Sequence, residues 1–152
     1  MADALIARNP TAGRDFHLLK TFEAGIELQG SEVKSLRSHR VNLKDSFARV
    51  EEGQVWLHGM DVNPYPQAGR SAPEPKRIRR LLLHRDQIRR LEGKLTAGGM
   101  TLVPTRLYFK GSLVKVELGL AKGKKVFDKR EDIRRRESDR EISRALKFRK
   151  DR

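Results

Sequence analysis

The segment that most restricts the possible fold is TRLYFKGSLVKVELGL, residues 105–120. Apolar side chains occupy every other position of its second half: Val114, Val116, Leu118 and Leu120. A two-residue period predicts a β-strand with one buried face and one solvated face, and Lys115 and Glu117 belong to the solvated one. Gly111 can turn the chain at little steric cost. The segment therefore predicts an antiparallel hairpin that needs further strands to cover its apolar face.

Other segments supply those strands. Residues 16–22 also have a two-residue period, with both faces partly apolar, and SFARVEEGQVWLHGM (46–60) predicts a second hairpin that turns at Gly53. Glu23-Ala24-Gly25 predicts a break, after which extended chain resumes at Ile26 and continues towards Leu36. Short strands in this number would leave unpaired edges in an open sheet. We therefore expect a mainly β protein built as a closed or partly closed antiparallel barrel.

Two segments interrupt the strands. VNPYPQAGRSAPEPK (62–76) contains four prolines, which lack the amide donor of a β-ladder, so it predicts an extended loop. Ile88, Leu91 and Leu95 recur at helical spacing, and Gly98-Gly99 predicts the end of that helix. The predicted organisation is a mobile N-terminal arm (1–14), a β-barrel domain (15–121) and a basic C-terminal tail (122–152).

The tail differs in composition from the rest of the chain. It has 14 lysines and arginines against 7 acidic residues, so it carries +7 of the total net charge of +14. Its few apolar residues form no continuous stripe, and an isolated helix with so little to bury is marginal in water. We expect a tail that is disordered when free and helical along a polyanion; an ordinary solvated charged tail is the alternative.

Charge also predicts the class of partner. A net charge of +14 favours nucleic acid first and an anionic membrane surface second. The chain has no cysteine, which fits a reducing cytosol and a cytoplasmic location. No secretory signal and no apolar run long enough for a membrane span are visible, so we expect no membrane partner.

No catalytic or metal-binding pattern emerges. The four histidines are scattered and lack a second ligand at i+3 or i+4, and GLAKGKK departs from the spacing of a P-loop. Glu51-Glu52 falls in a predicted turn, where paired carboxylates are usually solvated. The sequence therefore predicts a binding protein without metal or cofactor rather than an enzyme.

Four blocks in the same order resemble the small protein B family, the SsrA-binding proteins. They are EAGIELQGSEVKSLR (23–37), VNLKDSF (41–47), RRLLL (79–83) and GLAKGKKVFDKR (119–130). The resemblance implies a barrel of the oligonucleotide-binding (OB) type that grips the tRNA-like domain of transfer-messenger RNA (tmRNA). It also implies delivery of that RNA, with elongation factor Tu bound to it, to stalled ribosomes. The tail would enter the vacant messenger channel near the decoding centre.

Two groups of residues are predicted to bind the RNA. By charge, a set of cations would follow phosphates: Lys34, Arg37, Arg40, Arg79, Arg80 and Lys115. By resemblance, Glu23, Leu82 and Lys115 match family positions that support RNA binding. Glu23 would accept hydrogen bonds from base amino groups or 2′-hydroxyls, or else order its turn. Leu82 would offer an apolar platform to a base, although a place in the core is the more usual one for a leucine in LLL.

The remaining predictions concern the loops and the tail. Asp45 or Ser46 would fix a loop, and Phe47 would fill the barrel. Phe127 would stack on ribosomal RNA in the decoding region, or pack against the barrel rim. The other residues expected near the decoding centre are Lys122, Lys124, Lys125, Asp128, Lys129 and Arg130. The chain departs from the family at Pro10 and Thr11, which follow Asn9 where basic residues are usual, and at Ser138, where tryptophan is frequent.

Two rival functions remain open on the sequence. A general RNA-binding or ribosomal protein would use the same barrel and arms on many RNAs. An enzyme acting on RNA ends would reveal itself by metal- or nucleotide-dependent turnover.

Overall fold

The computed structural model describes residues 4–64, 66, 72–123 and 140. The strands are β1 (Ala4–Arg8), β2 (Phe16–Ile26), β3 (Val41–Asn42), β4 (Phe47–Glu51), β5 (Gln54–His58), β6 (Asp61–Val62), β7 (Arg79–Leu82), β8 (Thr101–Lys110) and β9 (Leu113–Gly123). The helices are α1 (Ala12–Asp15), α2 (Gly30–Arg37) and α3 (Arg85–Thr96). No helix in these ranges is both long and apolar enough to cross a membrane.

The main sheet closes on itself. Its antiparallel strands follow the order β8-β4-β5-β7-β2-β9, and β9 pairs again with β8. The first strand, β1, pairs with the part of β8 that β4 leaves free, placing Ala4 opposite Phe109 and Arg8 opposite Arg106. The two predicted hairpins, β4–β5 and β8–β9, are confirmed, as is the antiparallel barrel.

The core lies inside this ring, on the face that the alternation predicted. Val116, Leu118 and Leu120 of β9 are buried, while Lys115 and Glu117, which flank Val116, are only half-buried. Strands across the barrel and two helices supply the other buried side chains, among them Leu36, Val55, Leu57, Leu81, Ile88, Leu91, Leu102 and Leu107. The helix predicted from Ile88, Leu91 and Leu95 is confirmed as α3, and Gly98 and Gly99 follow it with positive φ.

The first residues that the structure describes, from Ala4 onwards, belong to the barrel rather than to an arm outside it. Residues 4–8 pair with β8, and the buried Asn9 donates from Nδ2 to the carbonyl of Pro104 at 2.8 Å. Its Oδ1 accepts from the backbone amide and hydroxyl of Thr11 at 3.0 and 2.7 Å. The assignment of residues 4–14 to a separate arm was therefore wrong, because a strand and a buried side-chain clamp hold this segment.

The segment after residue 22 also differs from the prediction. The expected break at Glu23-Ala24-Gly25 is absent, since β2 continues to Ile26. The chain expected to be extended towards Leu36 forms α2, which begins with reciprocal hydrogen bonds between Gln29 and Glu32. These bonds satisfy two amide donors at the start of the helix and so favour helix over strand.

Candidate nucleic-acid interface

Strand pairing brings the three residues implied by the resemblance into one cleft. Gly25 of β2 lies opposite Leu82 of β7 on one side and opposite Lys115 of β9 on the other, and Glu23 is two residues earlier on β2. The cleft has a volume of about 380 Å³. Its lining consists of Glu23, Gly25, Leu82, Leu83, His84, Gln87 and Lys115. One concave site therefore combines a carboxylate, a lysine and apolar surface.

Glu23 supplies a hydrogen-bond acceptor that is ionised at neutral pH. The Tyr108 hydroxyl donates to Glu23 Oε2, and Lys110 Nζ lies 3.3 Å from Oε1. The hydrogen bond from Tyr108 has the largest effect on the pKa of Glu23 and lowers it. Burial acts in the opposite direction, Lys110 and Lys115 lower the pKa further, and the net shift is downward. Because Glu23 lies within β2 and not in a turn, its alternative role of ordering a turn is not available. An ionised carboxylate here can only accept hydrogen bonds.

Leu82 supplies the apolar surface. It is 45% exposed, whereas its neighbour Leu81 has no exposure, because successive side chains of β7 point to opposite faces of the sheet. The preference for a core position was therefore wrong, and the platform alternative fits the structure. Gly25 contributes by its lack of a side chain, since a Cβ there would lie 3.2 Å from Cβ of Leu82.

His84 and Gln87 are members of the cleft that the sequence reasoning missed. They stand at the start of α3, where the amide of His84 donates to Gln87 Oε1 at 3.2 Å and the two residues form a capping box. The signal was present as a polar residue followed three positions later by Gln, before the apolar positions of the helix. These two side chains add polar groups to the apolar wall formed by Leu82 and Leu83.

The predicted basic residues on α2 remain exposed. Lys34 and Arg37 belong to the helix and Arg40 follows it, all three on the surface. The Arg37 guanidinium lies 5.9 Å from the centre of the Phe109 ring. Lys34 and Arg37 therefore lie on a helix, where the sequence predicted extended chain, and the exposure of all three cations suits contacts with phosphate.

Arg79 has a different role from the one predicted. It has no exposed surface, and its Nη2 and Nε donate to Glu32 Oε2 at 2.5 and 2.8 Å. Its Nη1 donates to the carbonyl of Met60 at 2.9 Å. A guanidinium enclosed in this way cannot reach phosphate, so the prediction of Arg79 as a direct RNA contact was wrong. Arg80, the next residue, is half-buried and pairs with Glu27 at 2.6 Å.

Glu32 ties α2 to the residues before and within β7. Arg77 Nη2 also donates to it, at 2.5 Å from Oε1. Burial raises the pKa of Glu32, but hydrogen bonds from Arg77, the Gln29 amide and Arg79 outweigh that effect and lower it. The carboxylate is thus ionised and holds two cations. This network fixes the helix that carries Lys34 and Arg37.

The DSF loop is held as expected, but Phe47 is not in the core. The buried Ser46 donates from Oγ to the carbonyl of Leu43 at 2.5 Å, and Asp45 adopts a positive φ of 61°. Phe47 is half-buried, and its ring stacks on that of His58 on the outer face. The neighbouring Ala48 takes the inward position instead. The prediction that Phe47 fills the barrel was wrong.

The structure describes only the start of the tail. Lys122 is exposed near the end of β9, which extends the barrel two residues beyond the predicted limit of 121. The other predicted tail residues, Lys124 to Arg130, and Ser138 lie outside the described residues. Within the described part of the chain, no group of three or more His, Cys, Asp or Glu residues could hold a metal ion.

Comparisons with known proteins place the chain in a family. The model of the family described as "SmpB protein" matches residues 6–148. An SsrA-binding protein of Carboxydothermus hydrogenoformans is 54% identical over 147 residues, covering 97% of this chain and 99% of the relative. One from Geobacillus kaustophilus is 54% identical over 145 residues, covering 95% and 94%.

A solved structure has the same fold. It is described as "tmRNA-SmpB: a journey to the center of the bacterial ribosome" and is 45% identical, with a TM-score of 0.68. The similarity covers 81% of this chain and 87% of that chain. A family match over nearly the whole sequence, relatives at about half identity and this shared barrel agree, and the chain belongs to the SmpB family.

Proposed function

We propose that the protein binds the tRNA-like domain of tmRNA and brings that RNA to stalled ribosomes for rescue and peptide tagging. Two findings support the proposal: membership of a family named for SsrA binding, and similarity to a structure of SmpB with tmRNA in the ribosome. The protein itself binds and does not catalyse. Elongation factor Tu engages the complex indirectly, through the RNA, and the process takes place in the cytoplasm.

The observation that best supports this function is the cleft between β2, β7 and β9. Lys115 neutralises a phosphate, Leu82 packs against the face of an unstacked base, and Glu23 accepts hydrogen bonds from base amino groups or 2′-hydroxyls. Because the pKa of Glu23 is lowered, it keeps this acceptor role at neutral pH. Shape and exposed base edges, rather than a long sequence, would be recognised.

Basic residues outside the cleft extend the contact along the RNA backbone. Lys34, Arg37 and Arg40 lie on and after α2, and Arg80 adds partial charge because Glu27 pairs with it. Arg79 acts indirectly, since its bonds to Glu32 hold α2 in place. Phosphate contacts of this kind give affinity and register without base specificity.

The tail performs the second half of the task. Residues from Lys122 to Arg130 enter the vacant messenger channel near the decoding centre, where Phe127 stacks on ribosomal RNA. The charge surplus of the tail supports this placement, because a cationic segment with few apolar residues gains its structure from a polyanion.

Truncation before Val126 tests this division of labour. The shortened protein should keep most of its affinity for the tRNA-like domain, measured by anisotropy of a labelled RNA, while peptide tagging in a reconstituted system with stalled ribosomes disappears. A parallel loss of both activities would contradict separate roles for barrel and tail. If both survive, the tail has no part in rescue.

A further inference from the structure

A second surface lies on the outer face of β4, β5 and β7. Its side chains alternate with buried residues, so Ala48, Val55, Leu57 and Leu81 point inward. The outward side chains include Phe47, Arg49, Trp56, His58 and Arg80. We call this set the β4–β5–β7 platform. None of its rings is needed to fill the barrel.

The strand register arranges the platform in rows. Arg49 lies opposite Trp56, and Trp56 lies opposite Arg80, so a tryptophan stands between two arginines across three strands. In the next row Phe47 lies opposite His58, and their rings stack with centres 5.1 Å apart and planes within 4°. The Arg49 guanidinium lies 5.3 Å from the centre of the Phe47 ring.

The charges of the platform favour binding of a polyanion at one end over the other. Arg49 is exposed and has no carboxylate partner among the described residues, whereas Glu27 partly neutralises Arg80. Glu51 and Glu52 at the tip of the β4–β5 hairpin are exposed and would repel phosphate. A polyanion is therefore favoured over the Arg49 and Phe47 end and disfavoured over the tip.

The platform is continuous with the cleft described above. A second groove of about 400 Å³ lies beside the platform, and its lining includes Gln54, Arg80, Leu82 and His84. Leu82 and His84 also line the first cleft. A single strand that leaves the first cleft over Leu82 would reach Arg80, which pairs with Glu27, and then Trp56, which lies opposite Arg80.

From this arrangement we propose that the β4–β5–β7 platform binds unpaired RNA nucleotides. Bases stack on Trp56 and on the Phe47–His58 ring pair, and Arg49 neutralises the adjoining phosphate. Stacking on aromatic side chains next to cations suits single strands of any sequence, because every base has a π-face. A continuous duplex does not fit, since its bases are already stacked and paired.

Trp56 reports on this binding directly because it is the single tryptophan of the chain. The full-length protein is titrated with a twelve-nucleotide oligouridylate and with a blunt-ended, fully paired RNA duplex of equal charge, and tryptophan fluorescence and the anisotropy of labelled RNA are recorded. Oligouridylate should quench the fluorescence in step with the anisotropy, and the duplex should not. Anisotropy showing bound oligouridylate without a fluorescence change would overturn the proposal.

Two variants test the platform without relying on fluorescence. Trp56→Leu should weaken oligouridylate binding about 5- to 150-fold. Because Trp56 is half-buried, Arg49→Gln, at an exposed position, serves as a second variant. It should make the negative slope of log affinity against log salt shallower by about 0.7. Arg89→Gln, which removes another exposed arginine, on α3, is the matched control. Equal effects of Arg49→Gln and Arg89→Gln would contradict the proposal.

The source of the unpaired nucleotides is decided with two natural RNAs. Trp56→Leu and Arg49→Gln are compared with the unsubstituted protein for binding to the tRNA-like domain and to small ribosomal subunits. Weakened binding in either arm supports the platform and identifies its RNA, and unchanged binding in both overturns it. Leu82→Ala is included as a separate probe of the first cleft, so that failure of the platform remains distinct from failure of tmRNA binding.

Discussion

Replacing Glu32 by glutamine tests the network that holds the basic helix. The substitution keeps the shape of the side chain but removes its charge, so the fully buried guanidinium of Arg79 loses its counter-ion. Removing one member of a buried ion pair typically costs about 3–5 kcal/mol. For a chain of this size, about 2–4 °C in Tm accompanies each kcal/mol, so Tm should fall by about 6–20 °C.

Glu27→Gln is the matched control. It makes the same chemical change in a carboxylate that also pairs with an arginine of β7, but Glu27 is 52% exposed. Exposed pairs contribute at most about 1 kcal/mol, so Tm should fall by no more than about 4 °C. Differential scanning calorimetry measures both variants under identical conditions.

The double variant Glu32→Leu/Arg79→Met distinguishes two costs in stability: losing the Glu32–Arg79 ion pair, and leaving the Arg79 charge buried without a partner. Since replacing both partners by apolar side chains avoids an uncompensated buried cation, it should be more stable than Glu32→Gln. The reasoning is refuted if Glu32→Gln lowers Tm no more than Glu27→Gln, or if the double variant is the less stable one.

Three further predictions concern charge, apolar contact and pH. Lys115→Ala should make the negative slope of log RNA affinity against log salt shallower by about 0.7–0.9. Lys44→Ala, which removes an exposed lysine in the 43–46 loop, should leave RNA affinity nearly unchanged. Leu82→Ala should weaken binding of the tRNA-like domain about 3- to 10-fold, because the bound RNA partly buries one leucine side chain, with little change in Tm. Leu113→Ala is the control, since Leu113 is 61% exposed at a hairpin tip, and it should not weaken binding. Because the folded-state pKa of Glu32 lies below its unfolded value, its stabilisation is complete above the unfolded pKa and is lost as pH falls through the folded one. Acid unfolding followed by circular dichroism should therefore be less pH-dependent in Glu32→Gln than in the original chain, and equal pH dependence would contradict the assignment.

The strands could be predicted where polar and apolar residues alternate. Val116, Leu118 and Leu120 are separated by polar or small residues, so the buried face of β9 was visible in the sequence. In Leu81-Leu82-Leu83 every residue is apolar, and hydrophobicity alone cannot tell which one faces outward. Only the pairing of β7 with β2 and β5 decides that Leu82 is exposed.

The buried charges could not be predicted because they depend on contacts between distant segments. Arg79 and Glu32 are 47 residues apart, and nothing in RIRRLLL distinguishes the arginine that meets a carboxylate from those that meet solvent. Helix α2 was missed for a related reason, since eight residues with two apolar side chains show too little periodicity to be separated from a strand. The sequence predicted Glu23, Leu82 and Lys115 as separate RNA-binding residues. Only the strand register shows that they lie in one cleft.

The most direct test is to purify the full-length protein from its host, sequence the RNA that accompanies it, and repeat this with Lys115→Ala/Leu82→Ala. We expect one tRNA-like species in large excess over its cellular share, greatly reduced with the double variant. A mixture of tRNA and ribosomal RNA in proportion to abundance, unchanged by the two substitutions, would contradict a specific tmRNA site between β2, β7 and β9.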